Sequence, residues 1–257
     1  MTRPTPANPL RLTTAERIRF VQALSYIYRL EPALVLAFFD KETGGRPWCK
    51  ENKGRMKLGF EQGPFNRTKK WHRVFTNQYG DFPRVSGCEG VYWRCKDQHK
   101  EYEHVAKAAA IHTEHAYNAT GMGIASVQGW LAWKMGYGTS VEMYHRFQSS
   151  ECEQILGFFL FLQFAAGGRY PLFGPRKAPG AFVGDHLRLA RQGQRTGDLY
   201  PVARRYRGSE EKARYYAAKL TEFYDKWRER LKTEHEHRDK DGLVGYGDTL
   251  SDDTTPP

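Results

Sequence analysis

PALVLAFFDKETGG, residues 32–45, decides the fold. Leu34, Val35, Phe38 and Phe39 recur at steps of three and four, the period of a helix that buries one face. Pro32 falls in the first turn, where its missing N–H has no partner to lose. Gly44 and Gly45 supply residues that end a helix in left-handed backbone. Glu42 lies four residues after Phe38 and seven after Val35, so its carboxyl extends the apolar stripe. Desolvation disfavours the charged form of a carboxyl and raises its pKa, the condition for giving up a proton near neutral pH. A glutamate in the last turn can equally bend out to solvent, and periodicity alone leaves both placements open.

On the N-terminal side, Thr13-Thr14-Ala15-Glu16 matches a capping box, with Ile18, Val21, Leu24 and Tyr28 following at helical spacing. Residues 1–12 are proline-rich and read as an arm. On the C-terminal side, residues 46–100 lack helical periodicity and are rich in Gly, Pro, Asn, Trp and Tyr; loops and a short hairpin are expected there. A helical pattern returns over residues 101–119 and stops near Gly121-Met122-Gly123. Ser150-Glu151-Cys152-Glu153 is a second capping box, opening the apolar stretch ILGFFLFLQFAAGG (155–168). A membrane span needs about 20 predominantly apolar residues; this stretch is shorter, is interrupted by Gly157 and Gln163, and reads as a buried helix. Further helices are expected at about 181–192 and 198–232. The ending GYGDTLSDDTTPP (245–257) has the composition of a disordered tail. The expected organisation is an arm (1–12), a mainly α catalytic domain with an irregular insertion (13–232) and a polar tail (233–257).

The 257 residues are 40% hydrophobic and 14% aromatic, a globular composition. The formal charge is +11, which implies an anionic partner or a solubility feature. Nucleic acid, anionic membrane and cell wall all qualify as such a partner. The N-terminus has no apolar core of a secretory signal. Cys49, Cys88, Cys95 and Cys152 fit neither a zinc site nor a dense disulfide scaffold. Cys88 and Cys95 could close a loop under oxidising conditions, but buried thiols are the expected state.

Five segments together resemble a known family. FFDKETGGRPW (38–48) is similar to the acid-bearing helix end of lysozyme-like enzymes. LGFEQGPF (58–65) resembles the Leu-Phe-Glu…Phe element of the N-acetylmuramidase family found in phage endolysins. GMGIASVQGWLAWKMGY (121–137), SSECEQILGFFLFLQ (149–163) and VARRYRGSEEKARYYAAKL (202–220) resemble its later blocks, in family order. The resemblance implies a mainly α, lysozyme-like helical domain that cleaves the β-1,4 bond after N-acetylmuramic acid. It places Glu42 at the catalytic acid position. It also places Ser126, Gln128 and Tyr137 along the glycan cleft, and Tyr206 as the aromatic of the closing segment. Arg207 departs from the family's Asn, and Gln128 is shifted from the common pattern, which leaves the donor to the sugar N-acetyl group open.

Glycosidases that invert or retain need a second carboxylate, whereas substrate-assisted ones do not. Glu61 matches the family's Phe-Glu element and is the first candidate, against a purely structural glutamate; Asp81 and Glu89 are weaker. Asp40 is expected to be solvated on the other side of its helix. His112 and His115 read as solvated helix histidines, since no third ligand accompanies them. Trp130 and Trp133 read as core and cleft wall. In LYPVARRYRG (199–208), arginine interleaved with tyrosine suits sugar and wall contact. No cofactor and no metal is expected.

The resemblance implies bacterial peptidoglycan as substrate, with anionic wall polymers drawn by charge and no specific nucleic acid. A phage- or prophage-encoded product would reside in the host cytoplasm before release to the periplasm and wall, as a free monomer, or be carried in the virion beside other virion proteins. A lytic transglycosylase acting on the same bond, and a non-catalytic basic virion protein on the same fold, are the rival readings.

Overall fold

The computed structural model describes residues 8–49, 54–61, 95–164, 185–207 and 210–240. Helix α1 (Thr14–Tyr28) begins at the first capping box: Thr13 Oγ1 accepts from Glu16 N at 3.2 Å, and the Glu16 carboxylate accepts from Thr13 N at 2.7 Å. Such a cap is worth about 1 kcal/mol. Helix α2 (Pro32–Thr43) carries Pro32 in its first turn and ends at Gly44, φ 66°, whose N–H reaches Asp40 O at 2.9 Å. Every residue from Ala33 to Phe39 is buried. The helix is therefore enclosed on all sides over that length, as a helix in the centre of a domain must be.

Two later helices enclose it. The apolar helix α5 (Glu151–Phe164) sets Phe158 against Phe38 and Phe39, with centroids 5.4 and 5.3 Å apart. Helix α8 (Glu210–Lys240) packs along α2 and buries Ala213, Tyr216, Leu220 and Tyr224, spaced three, four and four residues apart. No helix among the described residues is long and apolar enough to cross a membrane.

A three-stranded antiparallel sheet flanks the end of α2. Strand β1 (Leu58–Phe60) pairs with β2 (Thr120–Met122), which pairs with β3 (Val127–Gln128). Two side chains tie this sheet to α2: Thr43 Oγ1 donates to Ile124 O at 2.7 Å, and the buried Lys57 ammonium donates to Thr43 O at 2.8 Å. A cation at a helix C-terminus also opposes the negative end of the helix dipole.

The remaining elements are α3 (Cys95–Asn118), a 3-10 helix (Gly129–Met135), α4 (Ser140–Ser149), α6 (Asp185–Thr196) and α7 (Tyr200–Arg207). Several sequence expectations are corrected here. The pattern placed at 101–119 starts at Cys95, and α3 kinks at His112, where φ is −158°. The helix expected over 198–232 is two, α7 and α8, and α8 runs on to Lys240 into what was read as tail. Helix α4, capped by Thr139 onto Glu142 N at 3.0 Å, was missed. At the second capping box Ser150 Oγ does accept from Glu153 N, at 3.4 Å, but the Glu153 carboxylate turns to Arg146 at 2.8 Å instead of closing the box. In the region read as loops, Trp48 and Met56 form an antiparallel bridge, while β1 finds its partner sixty residues later.

The described end of the segment read as an N-terminal arm is tied to the domain. Leu10 bridges to Ser150, donating to Ser149 O at 2.8 Å and accepting from Glu151 N at 2.9 Å. Beneath it, the fully buried Glu151 accepts from Arg17, from Trp48 Nε1 at 3.1 Å and from Leu12 N at 3.2 Å. A buried carboxylate is tolerated only when donors replace its water, and these three supply that. Asp81, Glu89, Cys88 and the ending 245–257 lie outside the described residues, while Cys49 is buried and Cys152 half-buried.

Candidate active site

Glu42 occupies the last turn of α2, neither fully buried nor open. The hydroxyl of Tyr216, a residue of α8 only 1% exposed, donates to Glu42 Oε1 at 2.6 Å. Tyr216 is itself fixed: Tyr206 of α7 stacks on it at 5.3 Å and 27°, and the Tyr206 hydroxyl donates to Ala125 O at 2.9 Å. The Lys41 ammonium lies 4.7 Å from the Tyr216 ring centroid and 5.8 Å from that of the exposed Tyr215. A hydrogen bond to a charged acceptor is strong and directional. One oxygen of Glu42 is thereby committed to Tyr216.

The sheet brings a second group together. Ser126 holds left-handed backbone, φ 51°, in the β2–β3 turn, closed by Ser126 N donating to Gly123 O at 3.1 Å. Gln128 Nε2 donates to Glu61 Oε1 at 2.8 Å, across the sheet. Gly121 lies directly beneath: a Cβ there would meet Ser126 Oγ at 2.6 Å and Gln128 Nε2 at 3.2 Å. Ser126 and Gln128 thus converge on one glycine, with Glu61 held to Gln128, and the Thr43–Ile124 bond joins their turn to the residue after Glu42.

Other expected site residues lie elsewhere. Tyr137 is 3% exposed, its ring set edge-on to Phe147 at 5.9 Å with the Arg146 guanidinium 5.2 Å away. Burial raises its hydroxyl pKa. It is a core residue, not a cleft wall. Asp40 is not solvated: it is half-buried, accepts from Trp227 Nε1 at 2.8 Å, and burial raises its pKa against that hydrogen bond and nearby cations. Trp133 is not core, being 59% exposed.

His112 and His115 are half-buried instead of solvated. His112 Nδ1 accepts from His115 N at 3.3 Å and so caps the helix segment after the kink. Burial first, then the His112 charge, lowers the pKa of His115. Among the described residues no group of three metal-ligating side chains occurs.

Tyr216, Lys41 and Trp227 were not singled out from the sequence. The signal for Tyr216 was present, because Ala213, Tyr216, Leu220 and Tyr224 form an apolar stripe on a helix otherwise rich in charge.

A mainly helical domain with a glutamate at a helix end beside a small antiparallel sheet is a lysozyme-like architecture. A solved structure described as the crystal structure of Burkholderia AP3 phage endolysin shares the fold. It matches with a TM-score of 0.59 and 19% identity, over 87% of this chain and 73% of that one. No curated relative matches the sequence. The profile of the N-acetylmuramidase family matches residues 31–228. The chain belongs to that family, and so to the glycoside hydrolases of peptidoglycan.

Proposed function

We propose that the protein hydrolyses the β-1,4 bond between N-acetylmuramic acid and N-acetylglucosamine, with Glu42 as general acid. The observation that carries this reading is the 2.6 Å bond from the buried Tyr216 hydroxyl to Glu42 Oε1. With Oε1 accepting from Tyr216, Oε2 is the oxygen we assign to proton delivery to the glycosidic oxygen. Glu61 is held by Gln128, and this supports a role in orienting the amide of Gln128, beside Ser126, toward the substrate's N-acetyl group. A second carboxylate at Glu42 is not required if that N-acetyl group assists the departure of the leaving sugar. The structural likeness to a phage endolysin supports a phage- or prophage-encoded lysin, made in the host cytoplasm or carried in the virion, acting on the wall.

The test is clearing of outer-membrane-stripped bacteria by wild type and by Glu42→Gln. General acid catalysis is worth about 10²–10⁴-fold, and a loss of that order is expected. A variant retaining more than about half the wild-type rate would remove Glu42 from the role. Mass spectrometry of the released sugars separates hydrolysis from transglycosylation, whose anhydro products are lighter by one water. Absence of any clearing by wild type would favour a non-catalytic virion role.

A further inference from the structure

The 3-10 helix Gly129–Met135 follows β3 and carries Trp130 and Trp133, three residues apart. At 3.0 residues per turn the two indoles stand one above the other on one side of the helix, about 6 Å apart along its axis. Trp130 is half-buried, but Trp133 is 59% exposed. The Lys134 ammonium lies 5.6 Å from the centroid of each ring, so one cation is held against both indoles. Arg205 of α7 is near enough for its charge, after burial, to lower the Lys134 pKa. Beyond the helix end, the side of Gly136 that a side chain would occupy is open space. The 3-10 helix begins directly after Gln128, whose amide donates to Glu61, so this patch follows on from the sheet side of the candidate site.

An exposed indole with a cation held against it is suited to a polymer that offers both apolar ring faces and negative charge. A peptidoglycan strand offers both: pyranose C–H faces along the glycan and carboxylates on its stem peptides. We infer that Trp130, Trp133 and Lys134 form a binding surface for the glycan strand away from the bond being cut. The indoles take sugar faces and the Lys134 ammonium takes a stem-peptide carboxylate. This inference rests on the peptidoglycan reading above, and it adds where the strand is held.

The experiment measures retention of the full chain on purified sacculi, using Glu42→Gln as the parent so that the wall is not consumed. Adding Trp133→Ala is expected to lower affinity about tenfold, the order found when a ring loses its stacking partner, with the melting temperature unchanged. Lys134→Met should weaken retention at 0.15 M salt and have little effect at 1 M, where the Debye length has fallen to about 3 Å. Unchanged retention of a folded Trp133→Ala variant overturns the inference. So does competition by single-stranded DNA that depends on Trp133, which would assign the surface to nucleic acid. Failure of the underlying catalytic reading shows separately, as clearing of cells by Glu42→Gln with Trp133 intact.

Discussion

Tyr216 and Asp40 are where single side chains set the chemistry. Tyr216→Phe keeps the ring stacked on Tyr206 and removes only the hydroxyl. Loss of a donor to a carboxylate disfavours its charged form, so the alkaline limb of the kcat profile should move to higher pH. Hydrogen bonds to charged groups contribute about 1.5–3 kcal/mol, so kcat should fall by about tenfold or more while KM changes little. An unchanged profile would show that the bond is idle. Asp40 poses the opposite case, a carboxyl whose pKa is raised above 3.8 by burial. A raised folded-state pKa means that stability is full below the unfolded value and is lost as pH climbs through the folded value. Asp40→Asn retains an acceptor for Trp227 and cannot ionise. It should raise the melting temperature at pH 7, with the gain shrinking toward pH 3.

At the scale of elements, contacts local in sequence were legible and distant ones were not. Thr13 and Glu16 announce α1 because a capping box lies within four residues, and α2 is bounded by Pro32 and Gly44 for equally local reasons. The position of Glu42 at the end of an apolar stripe could be read from its own helix. Its partner Tyr216 lies 174 residues away, and no short-range pattern links them. The same holds for Asp40, read as solvated because Trp227, 187 residues on, cannot be inferred from helical phase. Tyr137 was misplaced for another reason: a sequence block shows that residues are neighbours, not which side of the backbone each faces. Helix α4 went unread because it is short and its cap, Thr139, follows the Gly136–Gly138 segment that suggests only a turn. Its packing does leave a testable mark. A Cβ on Gly157 of α5 would meet the buried Phe147 ring of α4 at 2.2 Å. Overpacking of this kind costs about 1–3 kcal/mol, partly offset by the better helix propensity of alanine, up to about 1 kcal/mol. Gly157→Ala should therefore lower stability in denaturant titration, although it places the better helix former inside a helix.

Across the whole molecule, charge and the N-terminal tie make separate predictions. The net charge of +11 should draw the protein to anionic wall polymers. Screening shortens from about 10 Å at 0.1 M salt to about 3 Å at 1 M. Pelleting with sacculi should therefore decline with salt far more than turnover of a small soluble muropeptide, and equal sensitivity would refute that division. Deletion of residues 1–12 removes the Leu12 N–H from the buried Glu151 and the Leu10 pairing with Ser149 and Glu151. A loss of about 2 kcal/mol is expected from the carboxylate's missing donor, readable as a lower melting temperature. Helix α8, finally, bears on when the proposed site is assembled during synthesis. It supplies Tyr216 to Glu42, Trp227 to Asp40 and Tyr224 to Glu31, over separations of 174, 187 and 193 residues. At about 5–20 residues per second of synthesis, α2 emerges roughly ten to thirty seconds before its partner. Throughout that interval its enclosed apolar faces lack their α8 cover and are a target for chaperones, and Glu42 has no Tyr216 to set it. A chain ending before α8 would lack Tyr216, Trp227 and Tyr224, so on the proposed reading clearing activity is expected only once α8 has been made.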